Sequence, residues 1–396
     1  MEISLYVHVP FCRQKCDYCD FFSIPSNCAS CICPDEEYVR SVLTEIRFYV
    51  KKYSVSRWKT VYIGGGTPSQ LGAKLLFELV SGIKNAVSGK TADEFTVEMN
   101  PEDLTEDILD SAQNAGVDRI SIGVQALDQK ALDSINRHCS LKTAISAFEL
   151  LQKKWKKKLS VDFIAGLPGQ TYSSFKKQFE MVFYCKNIEH ISLYSLTLEE
   201  NTPLYKKIES GKIKWSQQKT DRMWILGRKI LKENGFIQYE VSNFARTGAE
   251  SRHNKVYWHL ENYIGCGSGA CGSVYGDVSE RWTNTCSIKN YENFWLNFNS
   301  ESEIPESIRQ VEKIDLQTQE FEWLMMGFRL LEGVCSEEFK KRFGKSLEER
   351  IGVKDGLFFE WSKKHLARSY KKDGKTFYAL NERGLMLLNL FLESLL

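Results

Sequence analysis

Along the first half of the chain, short apolar runs alternate with longer stretches in which apolar positions recur every three or four residues. The runs are SLYVHV (4–9), TVYIGG (60–65), EFTVEM (94–99), RISIGV (119–124), LSVDFI (159–164) and HISLYSL (190–196). Most are apolar and rich in Val and Ile, as strands buried on both faces are. The intervening pattern predicts helices at about 36–52, 70–86, 105–115, 128–152 and 172–185. In PEDLTEDILDSAQNAG, Thr105 can cap, Ile108, Leu109 and Ala112 share a face, and Gly116 can end the helix. Six β–α units in series predict a parallel sheet, doubly wound or curled into a barrel.

The chemically unusual residues fall where each strand would end. They are the cysteines after the first strand, GGGTPS after the second, Glu98 and Asn100-Pro101 at the third, Gln125 after the fourth, Asp162 with GLPGQT at the fifth, and SLTLEENTP after the sixth. A β/α barrel builds its active site from those loops. The expected fold is therefore α/β, a partial six-unit barrel over residues 1–212. An aromatic- and glycine-rich extension follows over 213–305, opening with a helix at 215–234. Residues 306–396 read as a mostly helical, winged-helix-like domain with a hairpin around Asp373-Gly374.

Composition narrows the class. With 396 residues the chain is too long for one ordinary core. An apolar fraction of 42% and a charged fraction of 26% suit a globular protein, and a net charge of +2 gives no reason to expect a nucleic-acid partner. Twelve cysteines are too sparse for a disulfide scaffold. The start, MEISLYVHVPFC, lacks the features of a signal peptide. The most apolar stretch, LMLLNLFLESLL, is interrupted by Asn389 and Glu393 and reads as a packed amphipathic helix. A cytosolic location follows as the expectation, and there clustered cysteines favour metal over disulfide.

The cluster is Cys12, Cys16 and Cys19 in FCRQKCDYCDFF. Structural zinc takes four protein ligands. A [4Fe–4S] cube has four irons, and three thiolates on one short loop leave the fourth open to a non-protein ligand. On this CxxxCxxC loop after the first strand, the chain resembles the radical S-adenosylmethionine superfamily, in which the open iron chelates that cofactor. LYVHVPFCRQKCDYCDF, GGGTPS, EMNPEDLT, RISIGVQALD, GLPGQT, ISLYSLTLEENTPLY and YEVSNFAR…ESRHNKVYW together resemble the oxygen-independent coproporphyrinogen oxidase group, from residue 4 to about 272. The tail beyond 313 resembles that group more loosely. The resemblance implies that Tyr6 and Tyr18 lie against the cofactor beside the cluster, and that Gly65, Gly66 and Thr67 meet its methionine portion. It implies polar contacts from Glu98, Gln125, Arg137 and Asp162, and Thr197 on the adenosine side. Taken alone, Arg137 also reads as a surface helix residue and Glu98 as a cap of the Asn100-Pro101 loop.

Two departures separate the chain from the coproporphyrinogen dehydrogenases it resembles. They carry a further cysteine where this chain has Phe21, and an extension before the first strand where only five residues precede Tyr6. Both match the sibling HemW subgroup of haem chaperones. HNKVYW, His253 to Trp258, matches that subgroup's haem motif HNxxYW, which implies His253 as an axial ligand to haem. The implied cofactors are a [4Fe–4S] cluster and S-adenosylmethionine, with haem as cargo. The implied partner is a haem-receiving, respiratory protein, met in the cytoplasm or at the membrane periphery. Oligomeric state stays open. Cys28, Cys31 and Cys33 form a second group that can hold metal, act as a redox pair or stand idle. Cys139, Cys185, Cys266, Cys271, Cys286 and Cys335 read as packing residues.

Overall fold

A computed structural model describes residues 1–26, 33–89, 92–299 and 302–396. The six apolar runs form strands β1 (Glu2–Val9), β2 (Arg57–Gly65), β3 (Glu94–Met99), β4 (Arg119–Gln125), β5 (Lys158–Ala165) and β6 (Ile188–Ser195). Each pairs in parallel with the next. The sheet does not close on itself. Beyond β1 it continues with Tyr263–Cys266, parallel to β1, and then with Cys271–Val274, Glu280–Asn284 and Arg309–Lys313 in antiparallel pairing. Beyond β6 it continues with Asn243–Ala245 and Ile237–Gln238. The barrel is partial, and the extension supplies strands to both of its edges.

Local chemistry explains the helices. The helix Glu36–Lys52 starts where Asp35 accepts a hydrogen bond from the Tyr38 amide, with Glu36 and Glu37 in its first turn and Lys51 and Lys52 in its last. Thr105 caps Glu106–Ala115, and Gly116 ends it in the left-handed region. The single helix expected at 128–152 is two, Gln129–Ser134 and Leu141–Lys154. Asn136 turns left-handed at φ 53°, and Ser140 caps the second helix by accepting from the Thr143 amide. The break puts Arg137 outside any helix.

One apolar core runs from Ile3 to Trp295 and so includes part of the extension. A second gathers Leu324, Phe328, Phe339, Leu347 and Phe391 in the C-terminal part. There, Ser336–Phe343, Leu347–Ile351 and Leu357–Lys363 precede a hairpin of Ala367–Lys372 and Lys375–Leu380. Its turn holds Asp373 at φ 50° and Gly374 at φ 76°, as a two-residue hairpin turn requires. The last apolar stretch carries the short helix Leu388–Glu393 and buries Phe391.

Three expectations need correction or limits. HNKVYW, in the extension read as aromatic- and glycine-rich with one helix at its start, lies on a further helix, Arg252–Trp258, capped by Ser251. Cys271 and Cys286 are exposed, so they are not packing residues, whereas Cys139, Cys185, Cys266 and Cys335 are buried. Cys28 and Cys31 lie outside the described residues. Among the described residues, no helix is long and apolar enough to cross a membrane.

Candidate cofactor site at the strand ends

The cysteine loop leaves β1 and is closed by a short parallel pairing of Phe11–Cys12 with Ile24–Pro25. Inside it, the Cys19 amide donates to the Cys16 carbonyl, and the Asp17 amide donates to the Ile135 carbonyl in the helix break. Cys12, Cys16 and Cys19 all line one cavity of about 460 Å³ at the C-terminal ends of the strands. Among the described residues, no three His, Cys, Asp or Glu side chains converge on the position of a single ion. Three thiols on one wall of the cavity fit a cube whose irons take one thiolate each, whereas a closed zinc site takes four protein ligands. Burial raises the pKa of the Cys12 thiol and lifts that of Cys19 to about 11. Bound iron would reverse this by favouring the thiolate.

Of the eleven non-cysteine residues that the resemblance implies, nine line the same cavity: Tyr18, Gly65, Gly66, Thr67, Glu98, Gln125, Arg137, Asp162 and Thr197. The glycines have a steric reason to be there. Gly65 sits at φ 113°, and a Cβ on it would lie 2.6 Å from the His8 ring. A Cβ on Gly66 would lie 2.8 Å from the Phe11 carbonyl oxygen. Only bare backbone can pass here, which leaves it open to a ligand.

A polar network ties the thiols to the strand ends. Thr67 Oγ1 lies 3.4 Å from Cys12 Sγ and accepts from Asn100 Nδ2 at 2.9 Å. Arg137 donates to the Asn100 side-chain oxygen at 2.7 Å, to the Gly123 carbonyl at 2.6 Å and to Cys16 Sγ at 3.5 Å. Its Nε is buried with no partner among the described residues. Gln125 follows an irregularity in the β4–β5 pairing and holds φ 68°, a backbone state costly for a residue with a side chain.

Two carboxylates complete the wall. Glu98 accepts from Tyr62 Oη at 2.6 Å and from the Gly65 amide at 3.2 Å. Desolvation outweighs these bonds and raises its pKa to about 7. Desolvation likewise raises Asp162 to about 6, partly offset by hydrogen bonds from Ser192 and Ser121. Sequence reasoning missed Ser121 and Tyr194 in this wall, and it placed Asn100 at a strand end without giving it a contact. Their signal was present: Ser121 lies four residues and Tyr194 one residue before the C-terminal end of its strand, and Asn100 follows β3 directly.

Two predicted residues lie elsewhere. Tyr6 sits deeper in the barrel, its hydroxyl 2.9 Å from His8 Nδ1 and its ring stacked over Tyr62. His253 closes the opposite end of the barrel. It is fully buried, with Nδ1 2.8 Å from Thr60 Oγ1 and Nε2 2.9 Å from Tyr257 Oη. Its ring stacks on Tyr62 at 5.1 Å, and burial lowers its pKa to about 3. The expected axial ligand thus has both ring nitrogens engaged and offers neither to an iron in this conformation.

Comparison with known proteins places this geometry. Residues 6–182 match the radical SAM superfamily, and residues 314–355 match the HemN C-terminal domain. The protein named Heme chaperone HemW in Bacillus subtilis is 33% identical over 90% of this chain and 89% of its own length. The Lactococcus lactis protein of the same name is 33% identical over 88% of this chain and 87% of its own. Radical S-adenosyl methionine domain-containing protein 1, mitochondrial, of Danio rerio is 35% identical over 86% of this chain and 76% of its own. Among solved structures, the coproporphyrinogen III oxidase HemN of Escherichia coli superposes with a TM-score of 0.77 over 99% of this chain and 89% of its own. At 17% identity, that likeness shows a shared fold. With a thiol loop, glycine run and carboxylate wall around one cavity, and relatives matched along almost its whole length, the chain belongs to the HemW family of the radical SAM superfamily.

Proposed function

We propose that the protein is a haem chaperone: it binds haem and passes it to a haem-receiving protein, using a radical SAM site as part of the cycle. The observation that carries this reading is the match to relatives named haem chaperones along about 90% of the chain. Cys12, Cys16 and Cys19 would hold a [4Fe–4S] cluster, and the facing wall would hold S-adenosylmethionine. Together these groups supply one-electron reduction of a sulfonium. The chain's own part is positioning. Gly65 and Gly66 admit a zwitterion against bare backbone. Glu98 and Asp162, which lack cationic partners among the described residues, favour a positively charged ligand. Thr67 and Arg137 touch the Cys12 and Cys16 thiols directly, and Asn100 ties the two to each other.

The recipient proposed is a respiratory haem protein, met at the membrane surface. The rival reading is oxidative decarboxylation of coproporphyrinogen III. Phe21, exposed at the cavity mouth where the dehydrogenases have a cysteine, speaks against it.

Anaerobic reconstitution tests the proposal. Expected are about four irons and four sulfides per chain, a spectral change on adding S-adenosylmethionine, haem uptake, and no protoporphyrinogen from coproporphyrinogen. Turnover of coproporphyrinogen, or no haem uptake, overturns it. His253 acts as an iron ligand only if it releases Thr60 and Tyr257. An altered haem spectrum in folded His253→Ala would assign it that role. An unchanged spectrum would leave it the seal of the barrel base.

A further inference from the structure

A second cavity, of about 790 Å³, lies between the barrel and the C-terminal part. One wall is the sheet edge at Ile237–Gln238 with the helix Gln217–Glu233. The other is the hairpin strand Ala367–Lys372 with the turn at Leu330–Glu332. The walls are fastened together. Glu240 and Leu330 form an isolated β-bridge, the Leu331 amide donates to the Tyr239 carbonyl at 3.0 Å, and Arg228 donates to the Glu382 carbonyl at 2.9 Å. The cleft is therefore a built feature of the fold, within the size range of small-ligand sites.

Its lining combines two chemistries. Tyr239, Phe244, Leu330 and Tyr370 give an aromatic and apolar surface, and Ile237 stands 60% exposed at the rim. Six cationic side chains surround it against three glutamates. Lys232 pairs with Glu382 and Lys372 with Glu332. Lys255, Arg368 and Arg383 make no ion pair among the described residues. Two of these cations cover ring faces: Arg368 lies 5.3 Å from the Tyr370 ring centre and Lys255 5.5 Å from that of Tyr239. Surplus positive charge around an apolar, aromatic slot is complementary to a planar hydrophobic molecule carrying carboxylates on its rim.

We infer that this cleft binds the tetrapyrrole, seating its face on the aromatic wall and its two propionates on Arg368, Arg383 and Lys255. The inference rests on the haem-chaperone reading and gives it a location. It also recasts HNKVYW. The helix Arg252–Trp258 stands between the two regions, with His253 sealed in the barrel base and Lys255 lining the cleft. Among the described residues no histidine lines the cleft, so recognition is by rim and face, not by iron ligation. A metal-free porphyrin should then bind as well.

The test is fluorescence and absorbance titration of the full chain with haem, metal-free protoporphyrin IX and the dimethyl ester of the latter. Wild type is expected to bind the first two competitively, more weakly at high salt, and to bind the ester on the order of tenfold or more less tightly. The exposed double change Arg368→Glu/Arg383→Glu should weaken both acids by about tenfold per cation. Ile237→Glu, at the exposed rim, gives an independent block should the double variant misfold, which circular dichroism would report. Haem binding by wild type that neither folded variant weakens, or equal binding of acid and ester, overturns the cleft and leaves the chaperone reading standing. No haem uptake by wild type overturns both.

Discussion

Glu94 and Glu98 sit on one strand, four residues apart, facing the same barrel interior, yet their surroundings are opposite. Glu94 is fully buried and answered from every side. Arg119 pairs with it at 3.0 Å, and the His253 amide and Ser251 hydroxyl donate to it. Arg119 in turn reaches Ser160 and the Ala249 and Glu250 carbonyls. Glu98 accepts from a tyrosine and one amide and has no ion-pair partner among the described residues. The contrast separates architecture from ligand binding. At the base, charge is neutralised within the chain. At the mouth, negative charge is left for a cation to complete.

The largest effect is expected at the base. Glu94→Ala would strand the buried Arg119 guanidinium, at a cost of about 3–5 kcal/mol in chemical denaturation. A loss under about 1 kcal/mol would mean that Ser160 and the two carbonyls suffice for Arg119 and that the base is not held by its ion pair.

Next in size is the mouth, read through pH. In the unfolded chain a glutamate ionises near its usual value, whereas Glu98 in the fold holds its proton up to about pH 7. Below the lower value both states are protonated, and the contribution is complete. As pH rises between the two values the unfolded chain releases its proton first, so stability falls, and the loss is complete above the folded pKa. Cluster-free wild type should therefore lose up to roughly 2 kcal/mol between about pH 5 and pH 8, allowing for solvent contact in the cavity. Asp162, raised to about 6, adds a slope of the same sign. Glu98→Gln should flatten the profile and, after reconstitution, weaken S-adenosylmethionine binding. Urea melts at both pH values decide; an unchanged slope would remove Glu98 as its source.

The smallest effect sharpens the picture of the mouth. Gln125→Gly should relieve the left-handed backbone and raise stability by about 0.5–1 kcal/mol, while weakening cofactor binding. A destabilised variant would show that the Gln125 side chain, not the ligand, justifies that conformation.

Much of this was legible in the sequence, for physical reasons. Parallel strands covered on both faces read as unbroken apolar runs, so all six were found, their ends within about three residues. The chemistry at their ends marked one face of the sheet, and nine of the eleven predicted non-cysteine residues meet there. The strands at 263–313 were not legible, because short antiparallel strands leave only a few alternations each. The break carrying Arg137 was hidden because Ser140 reads equally as a helix interior and as a cap. His253 deceived for another reason. A histidine among aromatics looks the same in sequence whether it faces a ligand or seals a barrel, and only the partners Thr60 and Glu94, far away in the chain, distinguish the two.

The pairing of Tyr263–Cys266 with β1 has a consequence for biogenesis. The first strand emerges from the ribosome early, but the neighbour on one of its sides is translated only after every other strand of the barrel. Until then β1 has an uncovered margin, and the three thiols beside it hang from an unfinished scaffold. Iron and sulfide would meet a settled loop only once that neighbour is in place.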